Sequence, residues 1–298
     1  MIKAGSSKPK KLEGGRSLKN KSRRPEPVRP LVSVITVVLN ARNLVARTVS
    51  SVRAQTYDNI EYIIIDGGSD DGTVEELQRL EESIDRWTSE PDNGIAEAFN
   101  KGLSLANGEI VGILNAGDVY EPRAISAIVE AYGAQPETDV ACGAIRLTER
   151  GVAPLVCLPS PSRLELETAV YHPAVFVRRA AYQRFGYFNE AYRFAMDYEL
   201  LLRFRKAGAV FQVLTEVLAT MDLTGISGAH WYRGLSEVRR ARAVYFSSGN
   251  VLFHHVRAVL MNLLARGLRI VGLGRLHRAY WRLRNLRTPQ RERAQQTG

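Results

Sequence analysis

Two short polar stretches hold residue types that chemistry needs. The first is Asp66-Gly67-Gly68-Ser69-Asp70-Asp71-Gly72-Thr73. A carboxylate there can accept hydrogen bonds from a ribose or a base N–H, and glycines let backbone approach a ligand closely. Asp70, Asp71 and Thr73 can equally cap a following helix, so the stretch alone is also an ordinary turn. The second is Asn115-Ala116-Gly117-Asp118. A hard divalent cation takes oxygen ligands, and Mg²⁺ is usually held by one or two protein carboxylates plus substrate phosphates. An aspartate among small residues suits that role, and a plain turn is the alternative. Neither stretch is a P-loop, since no Gly-Lys-Ser/Thr follows, and neither is GxGxxG. A Walker-type ATPase and a dinucleotide oxidoreductase are thereby disfavoured.

The surrounding sequence says what must position these loops. Leu31–Leu39 is a continuous β-branched run, predicting a strand buried on both faces of a parallel sheet. A helix-compatible stretch spans about 44–55, and Glu61–Ile65 predicts a second buried strand that ends at Asp66. Val74–Ser83 has helical spacing. Asn93-Gly94 marks a turn, Ile95–Leu105 a helix, and Glu109–Leu114 a third buried strand that ends at Asn115. Strand, helix, strand, helix, strand predicts an α/β fold with a parallel sheet. In open sheets of this kind ligands bind at the carboxyl ends of the strands, so the loops should converge there. Further on, 170–177 predicts a strand and Phe194–Ala207 a helix, with Glu199 and Arg203 one turn apart as a stabilising pair. Trp231–Phe246 and Val251–Gly272 have helical character.

Charge is unevenly distributed. The net charge is +10, but residues 1–30 carry ten Lys/Arg against Glu13 and Glu26, and residues 251–298 carry ten Arg against Glu292, leaving the body at −7. A nucleic-acid reader would carry its basic patch on the folded domain. Basic ends around an acidic body fit an anionic membrane surface better, with no nucleic-acid partner. Residues 1–30 have few large apolar groups and predict a disordered basic tail, with order beginning at Leu31. No apolar signal segment and no run long enough to span a bilayer is found, predicting a cytoplasmic protein. Cys142 and Cys157 lack zinc-ligand spacing and suit small reduced core residues.

The matching stretches, in order, give a specific resemblance. They run through Val32–Asn40, Ser51–Tyr57, Glu61–Thr73, Ser89–Ile95, Ala98–Gly102, Leu114–Asp118, His172–Phe176 and Met196–Arg203. Through most of 31–225 the chain resembles the family 2 glycosyltransferases, inverting enzymes with the GT-A fold. The resemblance implies a Rossmann-like, mainly parallel sheet flanked by helices, followed from 226 to 298 by a helical basic extension. It implies a nucleotide pocket bounded by Asn40, Asp66 and Asp92, with Ser69 and Lys101 as further nucleotide-binding residues. Asn115 and Asp118 resemble the metal motif, for Mg²⁺ or Mn²⁺, and Asp197 resembles the catalytic base. His172 is placed near acceptor or diphosphate, a structural histidine being the alternative.

The chain departs from the family pattern at three places. Gly117 stands where many relatives have a second aspartate. Met196 stands where many have a second acidic residue, so Asp197 alone can serve as base. Val37-Val38-Leu39 replaces a Pro-Thr-Tyr run that would supply an aromatic for the base. These departures resemble a subgroup of exopolysaccharide assembly. The implied reaction takes a sugar from a nucleoside-diphosphate sugar, UDP-linked by preference, to a hydroxyl of a glycan or lipid-linked acceptor. A catalytically inactive, scaffolding relative is the alternative from another class.

The last predicted helix has two possible destinations. On a wheel of 251–271, His254, His255, Asn262, Arg266 and Arg269 share one arc, while Leu252, Phe253, Val256, Leu260, Leu263, Leu264, Leu268 and Val271 lie opposite. Its apolar face packs on the catalytic domain, or it lies on a membrane surface with 275–293 and 1–30 assisting.

Overall fold

A computed structural model describes residues 11–19, 29–149, 152–222 and 231–270. In chain order the strands and helices are β1 (Leu12–Gly14), α1 (Arg16–Lys19), β2 (Val32–Val38), α2 (Arg42–Arg53), β3 (Ile60–Asp66), α3 (Thr73–Arg79), β4 (Arg86–Ser89), α4 (Ile95–Leu105), β5 (Ile110–Ile113), β6 (Val119–Tyr120), α5 (Ala124–Ala134), β7 (Val140–Glu149), β8 (Val152–Cys157), β9 (Val175–Arg178), α6 (Arg179–Phe185), α7 (Met196–Lys206), β10 (Phe211–Asp222), α8 (Trp231–Ala243) and α9 (Ser248–Ile270). One mixed sheet runs β1-β4-β3-β2-β5-β9-β7-β10-β6, with β8 on β7. The central β4-β3-β2-β5 pairings are parallel. Antiparallel β9 joins β5 to β7.

The β-branched run predicts its own environment. Every residue of β2 is buried. Val32, Val34 and Val38 pack in one core with Val45, Val49 and Val52 of α2, on one face of the sheet. Ile35 and Val37 pack in the other, with Phe99 and Leu103 of α4 and Leu201 and Phe204 of α7. A strand covered by helices on both faces has no polar side to present, which is why its sequence does not alternate. Both cysteines are buried and in no disulfide, as their surroundings predict.

The amino-terminal tail differs from expectation. Residues 11–19 are ordered against the sheet edge, not disordered. β1 pairs antiparallel with β4. Arg16 bonds both oxygens of the buried Asp85, at 2.7 and 3.1 Å, and the Gly15 N–H donates to Glu81 at 2.8 Å. Backbone pairing and the Arg16–Asp85 ion pair hold this segment to the sheet edge, neither of which needs large apolar side chains. The added strand covers an edge that would otherwise expose unpaired backbone groups. The other residues of 1–30, apart from Arg29 and Pro30, lie outside the described set. The 170–177 segment is also corrected: His172–Ala174 forms a 3₁₀ turn before β9 begins at Val175. Pro173 cannot donate to a ladder, so the strand starts after it.

Candidate active site

Three loops meet at the carboxyl ends of β2, β3 and β5. Asn40 follows β2 with φ of +51°. Asparagine tolerates that left-handed geometry better than most residues. Its backbone N–H donates to Ser69 Oγ at 2.8 Å, and its Oδ1 accepts from the Asp70 N–H at 3.1 Å. Asn40 thus stitches the first loop to the second.

Asp66 is fully buried. Its carboxylate accepts from the Gly68 N–H (3.1 Å), the Ser69 N–H (3.0 Å), the Ser69 hydroxyl and the Ser89 hydroxyl (2.6 Å). Asp66 and Ser69 therefore spend their polar atoms on loop shape. Beyond the same strand end, Asp92 lies so close to Gly67 that a Cβ at 67 would sit 2.7 Å from its Oδ2. Any side chain at 67 would displace Asp92. Burial pushes Asp92 above the ordinary aspartate range, offset in part by the Gly94 N–H and Lys101. Lys101 itself is engaged by Glu90 at 3.4 Å, Glu97 at 3.0 Å and the Pro91 carbonyl at 3.2 Å. It ties α4 to the Asp92 loop.

The Asn115–Asp118 turn is gripped from α2. Buried Thr48 accepts from the Gly117 N–H and donates to the Asp118 carbonyl, each at 2.9 Å. Gly117 has φ of +95°, a conformation that favours glycine over the second aspartate of many relatives. Asp118 is 6% exposed. Its pKa is pushed up to about 6 by burial, against the favourable fields of His172 and Arg47 and a hydrogen bond from the Asp222 N–H. The Asp222 carboxylate raises it further. β10 carries Asp222 there by pairing Thr220 with Val119 of β6. Sequence reasoning missed Asp222, because β10 was not foreseen. A second carboxylate beside Asp118 thus comes from a different strand, not from position 117.

His172 links this turn to Asp197. Its Nε2 lies 2.9 Å from Asn115 Nδ2, and its Nδ1 lies 3.4 Å from Asp197 Oδ2. The imidazole thus bridges the Asn115 amide and the Asp197 carboxylate through its two ring nitrogens. Asp197 lies in the first turn of α7, with its Oδ1 accepting from the Tyr198 N–H at 2.8 Å. Neighbouring Met196 is buried in the core, a place an acidic residue could not occupy without a partner. The Glu199–Arg203 pair forms as its spacing predicts, at 2.9 Å.

The turn before α7 is held from the carboxyl-terminal helices. The Glu237 carboxylate on α8 accepts from the N–H groups of Arg193, Phe194 and Ala195 at 2.8–3.1 Å. Arg240 donates to the Ala191 carbonyl at 2.6 Å. Sequence reasoning missed Glu237, since nothing local marks a glutamate in a polar helix as a cap for another element.

Asn115 and Asp118 are the residues of this turn that could hold a divalent cation. Asn115 Oδ1 is buried with no hydrogen-bond partner among the described residues. A carbonyl oxygen left so is costly unless something fills its place. Asp118 lies in the same turn, and the charge of Asp222 is felt at Asp118. No three acidic, histidine or cysteine side chains among the described residues converge as a complete metal cage.

Comparison with known proteins settles the family. Residues 33–156 match the family described as Glycosyl transferase family 2. The chain is 36% identical over 211 residues to an uncharacterized glycosyltransferase of Mycobacterium tuberculosis, covering 67% of this chain and 78% of the relative. The chain is a family 2 glycosyltransferase. It is also 33% identical over 207 residues to a chondroitin synthase of Pasteurella multocida, of which it spans 21%. Two solved structures share the fold. One is the mannosyltransferase PcManGT of Pyrobaculum calidifontis, in complex with GDP-Man and Mn²⁺. It has a TM-score of 0.57 and 18% identity, over 92% of this chain and 93% of that one. The other is S. aureus TarS 1–349 in complex with UDP-GlcNAc, with a TM-score of 0.55 and 14% identity, over 71% and 66%. The transferase therefore has the GT-A architecture expected, and its family is one of enzymes.

Proposed function

We propose that this transferase moves a sugar, with inversion, from a UDP-sugar to a hydroxyl of a glycan or lipid-linked acceptor in cell-surface polysaccharide synthesis, at the cytoplasmic face of the membrane. The observation that carries the reading is the Asn115–His172–Asp197 chain of contacts, which joins the cation turn to a carboxylate at the mouth of the same strand-end site. Asp197 removes the proton of the acceptor hydroxyl as the oxygen bonds to the anomeric carbon. The bond from that carbon to the diphosphate breaks on the opposite face, and the nucleoside diphosphate leaves. The Tyr198 N–H and His172 on its two oxygens orient the base. Asn115 and Asp118, with Asp222 beside them, would hold Mg²⁺ or Mn²⁺. The cation's chemistry is neutralisation of the charge that develops on the leaving diphosphate. Asp92 and the backbone from Gly67 to Ser69 line the nucleoside side, their shape fixed by Asp66, Ser69 and Lys101. Preference for UDP is supported by the UDP-GlcNAc complex of TarS. The GDP-Man complex of the mannosyltransferase makes GDP the competitor.

The test is a panel of nucleotide-sugars with Mg²⁺ or Mn²⁺, read by thermal shift and then by product mass. Asp197→Asn is expected to abolish transfer while leaving nucleotide binding intact. Full turnover by that variant would remove Asp197 from the role of base.

A further inference from the structure

Helix α9 is turned inside out. Side chains advance by about 100° per residue along a helix. On that wheel Leu252, Phe253, Val256, Leu260, Leu263 and Leu264 fall within an arc of about 120°. They are 53%, 65%, 46%, 60%, 52% and 55% exposed, respectively. The opposite side, with Val251, His254, Ala258, Met261 and Asn262, is the buried or half-buried one. Polar groups fasten the helix to the enzyme. Arg242 donates to Asn250 Oδ1 at 2.8 Å and to the Leu166 carbonyl at 2.7 Å, and Arg257 lies 3.5 Å from Glu167. A surface helix ordinarily turns its apolar stripe to the core. Among the described residues, nothing of the catalytic domain covers this stripe. A contiguous exposed stripe of this kind marks a docking surface, unlike apolar residues scattered singly.

We propose that α9 lies in the plane of an anionic lipid surface, with this stripe sunk into the acyl boundary. No helix among the described residues is long and apolar enough to cross a membrane, so the helix would lie flat. Charge selects lipid over a second copy of the chain. Residues 251–298 carry ten arginines against Glu292, and residues 1–30 carry a further net +8, while the body is negative. A second copy meeting this helix through a two-fold axis would bring only the same basic helix, which carries no acidic residue. An anionic bilayer instead attracts both basic ends and repels the acidic body, which orients the enzyme on the surface. The surface also leads to the chemistry. α8 packs on α9 and caps the turn before Asp197 through Glu237. The acceptor class that follows is a lipid-linked glycan, whose hydroxyl approaches the base from the membrane side. Only this last step rests on the proposed transfer reaction; membrane binding does not.

The test uses the full chain in flotation with phosphatidylcholine vesicles, with and without about 30 mol% phosphatidylglycerol. The parent is expected to float with the anionic vesicles. The Phe253→Asp/Leu260→Asp variant is expected to lose about a hundredfold in partition coefficient. Its unchanged melting temperature would show that the fold is intact. Equal flotation of parent and variant would overturn the proposal, because the basic ends alone would then account for binding. Failure of the parent to float would overturn it too. A solution dimer that the variant dissociates would assign the stripe to self-association instead. Hydrolysis of a nucleotide-sugar, followed in parallel, keeps the two readings apart. Flotation without hydrolysis by the parent supports the lipid surface and counts against the catalytic reading alone.

Discussion

Asp118→Asn separates two consequences of one buried carboxylate. Burial moves Asp118 from its ordinary 3.8 to about 6, so the folded protein binds this proton more tightly than the unfolded chain does. A raised acid of this kind stabilises the fold fully below pH 3.8, and that contribution is lost as pH rises through 6. At about 1.4 kcal/mol per tenfold change, the loss reaches about 3 kcal/mol above pH 7. Solvent screening takes little from this figure, because Asp118 is 6% exposed. Asparagine has the same shape and no charge, so the variant escapes the loss. In chelator and without nucleotide, it should melt above the parent at pH 8, by about 6–12 °C. The gap should fall to about half near pH 5. With Mn²⁺ and a nucleoside diphosphate the order should change, since the parent gains a ligand-induced shift and the variant loses most of it. Scanning calorimetry between pH 5 and 8, with and without Mn²⁺ and UDP, reads both effects. Parallel melting curves at every pH would refute the buried-charge argument. An undiminished Mn²⁺–UDP shift in the variant would refute the cation role.

Two further substitutions test the supports of the site. Glu237→Ala leaves three backbone N–H groups before α7 without their acceptor. We expect a cost of about 2 kcal/mol and a kcat lowered about 10- to 100-fold. UDP affinity, measured by calorimetry, should be unchanged. A kcat within a factor of two would show that α8 does not position the base. Arg16→Ala removes the clasp on the sheet edge. Asp85 keeps the Tyr62 N–H at 2.9 Å, so the expected cost is only about 1–2 kcal/mol, seen as a lower urea midpoint with kcat unchanged.

How much of this was legible in the sequence differs from element to element. The strands β2, β3 and β5 are buried on both faces, so they announce themselves as β-branched runs, and the loops at their ends follow. The Asn115–Asp118 turn was found for that reason. β10 was not found: it is partly exposed along much of its length, and its pairing with β7 shifts register twice. Asp222, which rides on β10, stayed hidden with it. Sequence spacing also located Asp66, Ser69 and Lys101 but not what their polar atoms do, because partners such as Ser89 and Glu90 reach them through tertiary contact. The wheel of α9 gave both of its faces. Which face turns outward depends on Arg242, just before the helix, and on Glu167 and Leu166, tens of residues earlier.

The four hydrogen bonds on Asp66 carry a warning for mutagenesis. An aspartate at this strand end invites the inference that its loss removes a contact with the donor. Here its oxygens already hold Gly68, Ser69 and Ser89, so Asp66→Ala would collapse the wall of the pocket before any ligand arrived. An inactive Asp66 variant would therefore speak of architecture. Recognition of the nucleotide is better interrogated at Asp92, where the carboxylate faces the neighbouring loop and fewer bonds depend on it.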